Sequence, residues 1–172
     1  MPVVTMNVLS GDISKIESEA IVACFFDDVR PLKGIAGRLD WFLCGSLSRL
    51  IIEKRLRGSL GDVALLTTRG KVPAQKLFLM GLGSYSGFSL ATLGSAAKFA
   101  GASVANAGVR NAVLEYFKPD DVSDEAGITA LQYGLQEGAG ERDLSISLLA
   151  PDPAARERLL KLMPAGPAME RN

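Results

Sequence analysis

The chain predicts an α/β fold in three layers, with helices on both faces of a mixed, largely parallel central sheet. Three observations carry that expectation. Apolar runs of strand length alternate with longer segments of helical character along the 172 residues. Several of the short runs are apolar on both faces, as strands covered by helices on each side are. The long segment Ser89 to Ala107 repeats its apolar residues at spacings of three and four.

Taken in order, Val3 to Leu9 reads as the first strand and Ala20 to Phe26 as the second, the latter without a polar residue. Helices are expected over Ala36 to Leu43 and Ser46 to Leu56. Strands follow at Asp62 to Thr67 and Lys76 to Met80. In the long helix Ser89 to Ala107, Leu90, Leu93, Ala97, Ala100 and Val104 share a face. Gly94 and Gly101 lower its intrinsic propensity and point to close packing against the sheet. A strand at Asn111 to Tyr116, a helix at Glu125 to Glu137, a strand at Leu144 to Ala150 and a helix at Ala154 to Met163 complete the pattern. Residues 1–163 are expected to form a single domain. Residues 164–172, with two prolines and a glycine, are expected to be a disordered tail.

Composition excludes several classes of function. At 48% hydrophobic and 22% charged residues the chain is an ordinary globular protein. It has no run of about 18 apolar residues to span a bilayer, so no membrane association is expected. Nineteen basic residues balance nineteen acidic ones, and no overall field draws the chain onto nucleic acid. The local cluster Arg49, Lys54, Arg55 and Arg57, interrupted by Glu53, reads as a solvated helix face, with Trp41 and Phe42 beside it as core or interface anchors. The N-terminus lacks a positively charged signal, which points to the cytoplasm. Cys24 and Cys44 accordingly read as reduced core thiols, and no histidine exists to activate either or to complete a mixed metal site. No cofactor and no metal is expected. Asp27 and Asp28 leave a strand in opposite directions and read as a solvated turn.

Whatever chemistry the chain carries belongs to three glycine-bearing loops, because ligands of open α/β sheets settle at strand carboxyl ends, where backbone N–H groups and helix N-termini face outward. The first loop holds Gly11, Asp12 and Ile13. Asp12 either accepts a hydrogen bond from a ligand amine or caps the short turn Ile13 to Ile16, and the two roles are compatible. The second, Leu32-Lys33-Gly34-Ile35-Ala36-Gly37, precedes a helix and is either a plain turn or a phosphate cradle. The third, Gly81-Leu82-Gly83-Ser84-Tyr85-Ser86-Gly87, runs from a strand into the long helix without the spacing of a dinucleotide fingerprint.

Gly-Asp-Ile-Ser at residues 11–14, Glu-Ala-Ile-Val at 19–22, Pro31-Leu32-Lys33-Gly34, Leu39-Asp40 and Gly81-Leu82-Gly83 occur in an order that resembles the macro-like N-terminal domain of leucine aminopeptidases and, more distantly, macro domains that bind ADP-ribose. The resemblance runs from Val3 to Gly138. It implies a macro-like α/β/α fold and a place at the periphery of an oligomer, remote from the peptidase centre. It also implies a ligand site in which Asp12 and Ile13 meet an adenine, while Gly34, Ile35, Ala36, Gly37, Gly83, Ser84, Tyr85, Ser86 and Gly87 hold phosphates. Two departures bear on activity. Where active macro domains carry an asparagine-rich segment, this chain reads Ala23-Cys24-Phe25-Phe26-Asp27-Asp28, and the two phenylalanines wall off or fill the space for a ribose. The two-metal peptidase domain of whole leucine aminopeptidases has no counterpart in these residues, so peptidase activity is not expected. The function so implied is that of a non-catalytic binding or assembly module, with a homo-oligomer or protein partner. The alternative is a binder of ADP-ribose or another phosphate-bearing nucleotide.

Overall fold

The computed structural model describes residues 3–164. The expected tail, apart from Pro164, falls outside them. The strands are β1 Val4–Leu9, β2 Ala20–Phe25, β3 Val63–Thr67, β4 Lys76–Gly81, β5 Asn111–Glu115 and β6 Leu144–Leu149. The helices are α1 Gly34–Phe42, α2 Ser46–Ile52, α3 Leu90–Asn106, α4 Asp124–Ala139 and α5 Pro153–Leu160. One sheet runs in the order β1-β6-β5-β2-β4-β3, with every pair parallel except β3 against β4. All strands and helices read from the sequence are present. No helix among the described residues is long and apolar enough to cross a membrane.

Strand β2 shows why the sheet is covered on both sides. Its Ala20, Val22 and Cys24 join the core beneath α3, α4 and α5, while Ile21, Ala23 and Phe25 join the core beneath α1 and α2. Alternation along a pleated strand sends successive side chains to opposite faces. A strand apolar at every position therefore stabilises two layers at once. Each large apolar side chain fully buried in this way contributes about 1.5–3 kcal/mol.

Element boundaries differ from expectation where the backbone supplies its own signal. Helix α2 stops at Ile52, short of Leu56, because Lys54 takes a left-handed conformation and the N–H groups of Arg55 and Leu56 both fold back onto Leu50 O, which lets Leu56 bury. Ser89 is the N-cap of α3, in a capping box with Thr92. The glycines of α3 do not approach the sheet as the sequence suggested. A Cβ on Gly101 would lie 2.6 Å from Leu135 O of α4, and Cβ atoms on Gly134 and Gly138 would collide with the carbonyls of Gly94 and Lys98. The small residues thus let α3 and α4 pack backbone to backbone.

Two further expectations are corrected by exposure. Trp41 is 83% exposed, which excludes the core role and leaves only the interface role expected for it, whereas Phe42 is half-buried beneath the Arg38 guanidinium at 5.6 Å. Cys24 is buried, but Cys44 is exposed in the turn between α1 and α2. That turn is held by the Asp40 carboxylate, which accepts the N–H groups of Leu47 and Ser48 at 2.9 and 3.0 Å. Cys44 is left outside it.

Candidate functional site

Five parallel strands point their carboxyl ends at one edge of the sheet, and the loops leaving β1, β2, β4, β5 and β6 gather there. Pairing fixes their relative heights: Leu9 and Glu115 are both level with Leu149, and Phe25 is level with Gly81. Two hollows open along this edge, and both are lined by Glu115 and Gly34.

The first hollow, about 430 Å³, lies between the loop after β1 and the start of α1. Asp12 does cap its turn: its Oδ1 accepts the Ser14 N–H at 3.0 Å over the short 3₁₀ turn Ile13–Lys15. It also faces Arg38, whose Nη2 donates to Oδ2 at 2.8 Å and whose Nε donates to Oδ1 at 3.3 Å. The Ser14 N–H first, and Arg38 second, hold the Asp12 carboxyl down at about 2. An amine seeking Asp12 would compete with an arginine already in place.

At the start of α1 no side chain of the preceding loop caps the helix. The Glu115 carboxylate, 80 residues away in sequence, takes that role: both of its oxygens lie 3.2 Å from the Ile35 nitrogen. Gly34 makes this possible. It has φ +56°, and a Cβ there would sit 2.9 Å from Glu115 Cδ and closer still to the oxygens. Burial outweighs the Ile35 hydrogen bond and raises the Glu115 carboxyl above its ordinary value. Among the described residues no cation forms an ion pair with it.

The second hollow is the larger, about 560 Å³, and runs from Glu115 outward between the loops after β2, β4 and β5. Its walls are aromatic. Phe26 meets Tyr85 and Phe88 edge-on, both at 5.1 Å between ring centres, and Phe88 lies 5.7 Å from Phe117. Phe25 and Phe26 therefore wall the cleft without filling it. Its mouth is tied across by Tyr85, whose N–H donates to Asp28 Oδ1 at 2.9 Å and whose hydroxyl donates to Asp120 Oδ2 at 3.1 Å. Cys24 lies beneath, and burial, with the Glu115 charge in support, pushes its thiol up, so it holds its proton.

The residues proposed from sequence are thus divided. Asp12, Ile13, Gly34 and Ile35 meet around the smaller hollow, and Gly34, Tyr85 and Ser86 around the larger; Ala36, Gly37, Gly83, Ser84 and Gly87 line neither. Several of the expected N–H donors already have partners: Ile35 on Glu115, Tyr85 on Asp28, Gly87 on Ser84 Oγ, Gly83 on Gly58 O and Gly37 on Lys33 O. Glu115, Arg38, Phe88 and Phe117 were not singled out from sequence. A carboxylate ending an otherwise apolar run, Ala-Val-Leu-Glu, was a legible signal for Glu115, since strand carboxyl ends are where such sheets bind. Among the described residues, no group of three His, Cys, Asp or Glu side chains could hold a metal ion.

A sheet of this order, with its hollows at the carboxyl edge, defines a macro-domain-like α/β/α protein. The Trypanosoma brucei macrodomain in complex with ADP-ribose aligns with a TM-score of 0.66 at 13% identity, over 91% of this chain and 68% of that one. A mutant of tomato leucine aminopeptidase aligns with a TM-score of 0.68 at 19% identity, over 93% of this chain and 35% of that one. Residues 21–140 match the N-terminal domain of the cytosol aminopeptidase family, and the chain belongs to that family. A probable cytosol aminopeptidase of Geotalea uraniireducens is 36% identical over 94 residues, which are 52% of this chain and 18% of that protein. The chain spans 18% or less of the length of the curated relatives it matches.

Proposed function

We propose that residues 1–163 form a single non-catalytic binding module of the cytoplasm, with its ligand in the aromatic cleft between the loops after β2, β4 and β5. The observation that carries this reading is the cleft itself: about 560 Å³, at the strand carboxyl ends, apolar on its walls and with one carboxylate at its base. That size and make-up suit a small organic ligand. The family match lies in the N-terminal domain, and Asp12, Glu115 and Tyr85 at this edge are engaged in caps and ties. No turnover of aminoacyl chromogenic substrates is expected with added manganese, zinc or cobalt; metal-dependent turnover lost in a point mutant would overturn the non-catalytic part. The ligand site is tested by titrating small-molecule sets into labelled protein. Shifts at the amides of Phe26, Tyr85 and Phe117 are expected, and shifts at Gly11 to Ser14 alone would move the site to the other hollow.

The alternative, ADP-ribose or another phosphate-bearing nucleotide, is supported by the fold shared with macrodomains. Its phosphates would have to displace Glu115 from the Ile35 N–H. Binding of ADP-ribose by the unaltered chain, weakened by Asp12→Ala, would favour it.

A second role is self-association through the side bearing α1, α2 and β3. Trp41 of α1 and Ile52 of α2 are exposed at 83% and 78%, Leu65 is exposed at 54% on the opposite face of the sheet, and β3 is an edge strand with no strand on its outer side among the described residues. A second copy, added antiparallel along β3 about a two-fold axis, would cover Leu65 with its own equivalent. Light scattering over a dilution series should show a dimer that Trp41→Ala or Leu65→Lys dissociates; a monomer at every concentration would rule it out.

A further inference from the structure

We propose that the aromatic cleft selects a protonated amine: a small ligand whose aromatic or branched apolar body packs among Phe26, Phe88 and Phe117 and whose ammonium group pairs with Glu115. The proposal rests on the reading that this cleft is the ligand site, and adds the chemical class.

Glu115 is half-buried and, among the described residues, has no cation within ion-pair distance. It accepts one hydrogen bond donor, the Ile35 N–H, shared between its two oxygens at 3.2 Å each. A carboxylate offers about four acceptor sites, and a buried charge left unpaired is costly. Spare acceptor capacity therefore remains on a group that already lacks a counter-charge. An ammonium group brings three donors and the missing positive charge. A phosphate brings the wrong sign to the same place.

The walls favour the same class. Ring faces attract cations, and the linked rings of Phe26, Phe88 and Phe117 line the route from the mouth to Glu115. Two lysines, Lys33 and Lys118, also line the cleft, against three carboxylates, Glu115, Asp120 and Asp121. Lys118 donates to Pro119 O at 3.4 Å, and neither lysine pairs with Glu115. The remaining balance is negative.

The test uses the full chain, labelled for amide shift mapping, with phenethylamine and 3-methylbutylamine as probes. Their neutral counterparts, 2-phenylethanol and 3-methylbutanol, and inorganic phosphate and ADP-ribose are run beside them. The amines should shift Ile35, Tyr85 and Phe117 and bind roughly tenfold or more tightly than the alcohols. Glu115→Gln should abolish that preference, bringing amine binding down to the level of the alcohols. If Glu115→Gln does not fold, the unaltered protein decides: the amine preference should shrink modestly with added salt, because the pair is partly buried, while alcohol binding does not change. Equal binding of amines and alcohols in the cleft would overturn the amine class and leave the cleft as the ligand site. Tighter binding of phosphate or ADP-ribose at Ile35 would overturn it in favour of an anion. Silence of the cleft toward every probe would overturn both the class and the site.

Discussion

The two hollows at the carboxyl edge share Gly34 and Glu115 yet have opposite chemistry. Around the smaller one, the charged groups have found each other: Asp12 is capped by Ser14 and paired with Arg38. Around the larger one, rings pack against rings, and Glu115, which both hollows share, has no ion-pair partner among the described residues. Satisfied polar groups stabilise a local turn and leave little to offer a ligand, whereas an apolar wall beside an unpaired charge is a place where a ligand gains. The Gly-Asp-Ile turn, the first of the three loops expected to carry chemistry, lies in the satisfied hollow.

What divides the two hollows is the Glu115 carboxylate over Gly34, and removing that partition should have the largest effect. Gly34→Ala forces a side chain into the left-handed region, at about 1–2 kcal/mol, and pushes Glu115 off the Ile35 N–H, at about 1–2 kcal/mol more. A total near 2–4 kcal/mol is expected in urea unfolding. The double variant Gly34→Ala with Glu115→Ala should cost less than the sum of the singles by about 1 kcal/mol, because the residues touch. Additivity would mean that the backbone strain alone carries the effect.

Next comes the aromatic wall. Phe88→Ala should cost about 2 kcal/mol, below the range for a fully buried ring because Phe88 is only partly buried. It should also open the cleft. Its effect on Asp12 should be nil, and a changed Asp12 titration in this variant would show that the hollows are coupled.

How much of this was legible follows from the range of the forces involved. Strand β2 could be read at once because every side chain in it obeys one local rule, and Ser89 to Ala107 because its period is local too. The end of α2 could not, since a left-handed Lys54 is not a residue the sequence marks as a stop. Gly94 and Gly101 were seen as close-packing residues, but their partner α4 is fixed only by topology. In the site, Asp12 and its cap were legible because donor and acceptor are two residues apart. Glu115 over Ile35 joins residues 80 apart, and the ring cluster joins Phe26, Phe88 and Phe117 from three loops. No spacing in the chain announces either.

A smaller effect is a pH dependence with a defined sign. Burial raises the Glu115 carboxyl in the folded state above its ordinary 4.5. Between those two values the folded chain holds a proton that the unfolded chain has lost, so stability should rise as pH falls through that window. Glu115→Gln should abolish the rise. A rise that persists in the variant would assign it to another group.

The smallest expected effect belongs to the exposed pair Arg38 and Asp12, and it sharpens the contrast because it should be visible in titration and nearly invisible in stability. Surface pairs contribute little once water and salt screen them. The Asp12 carboxyl is nonetheless held at about 2, chiefly by the Ser14 N–H and then by Arg38. A carboxyl lowered on folding contributes stability above its unfolded value, near 3.8, and loses it as pH falls toward the folded value. Arg38→Ala should therefore raise the Asp12 midpoint, followed by its side-chain carbon shift, only part of the way back, because the backbone donor remains. Ser14→Pro removes that donor and leaves the arginine, and should raise the midpoint further than Arg38→Ala does. The reverse order would make Arg38 the dominant partner, and the smaller hollow would then be organised by an ion pair that a ligand's cation could replace.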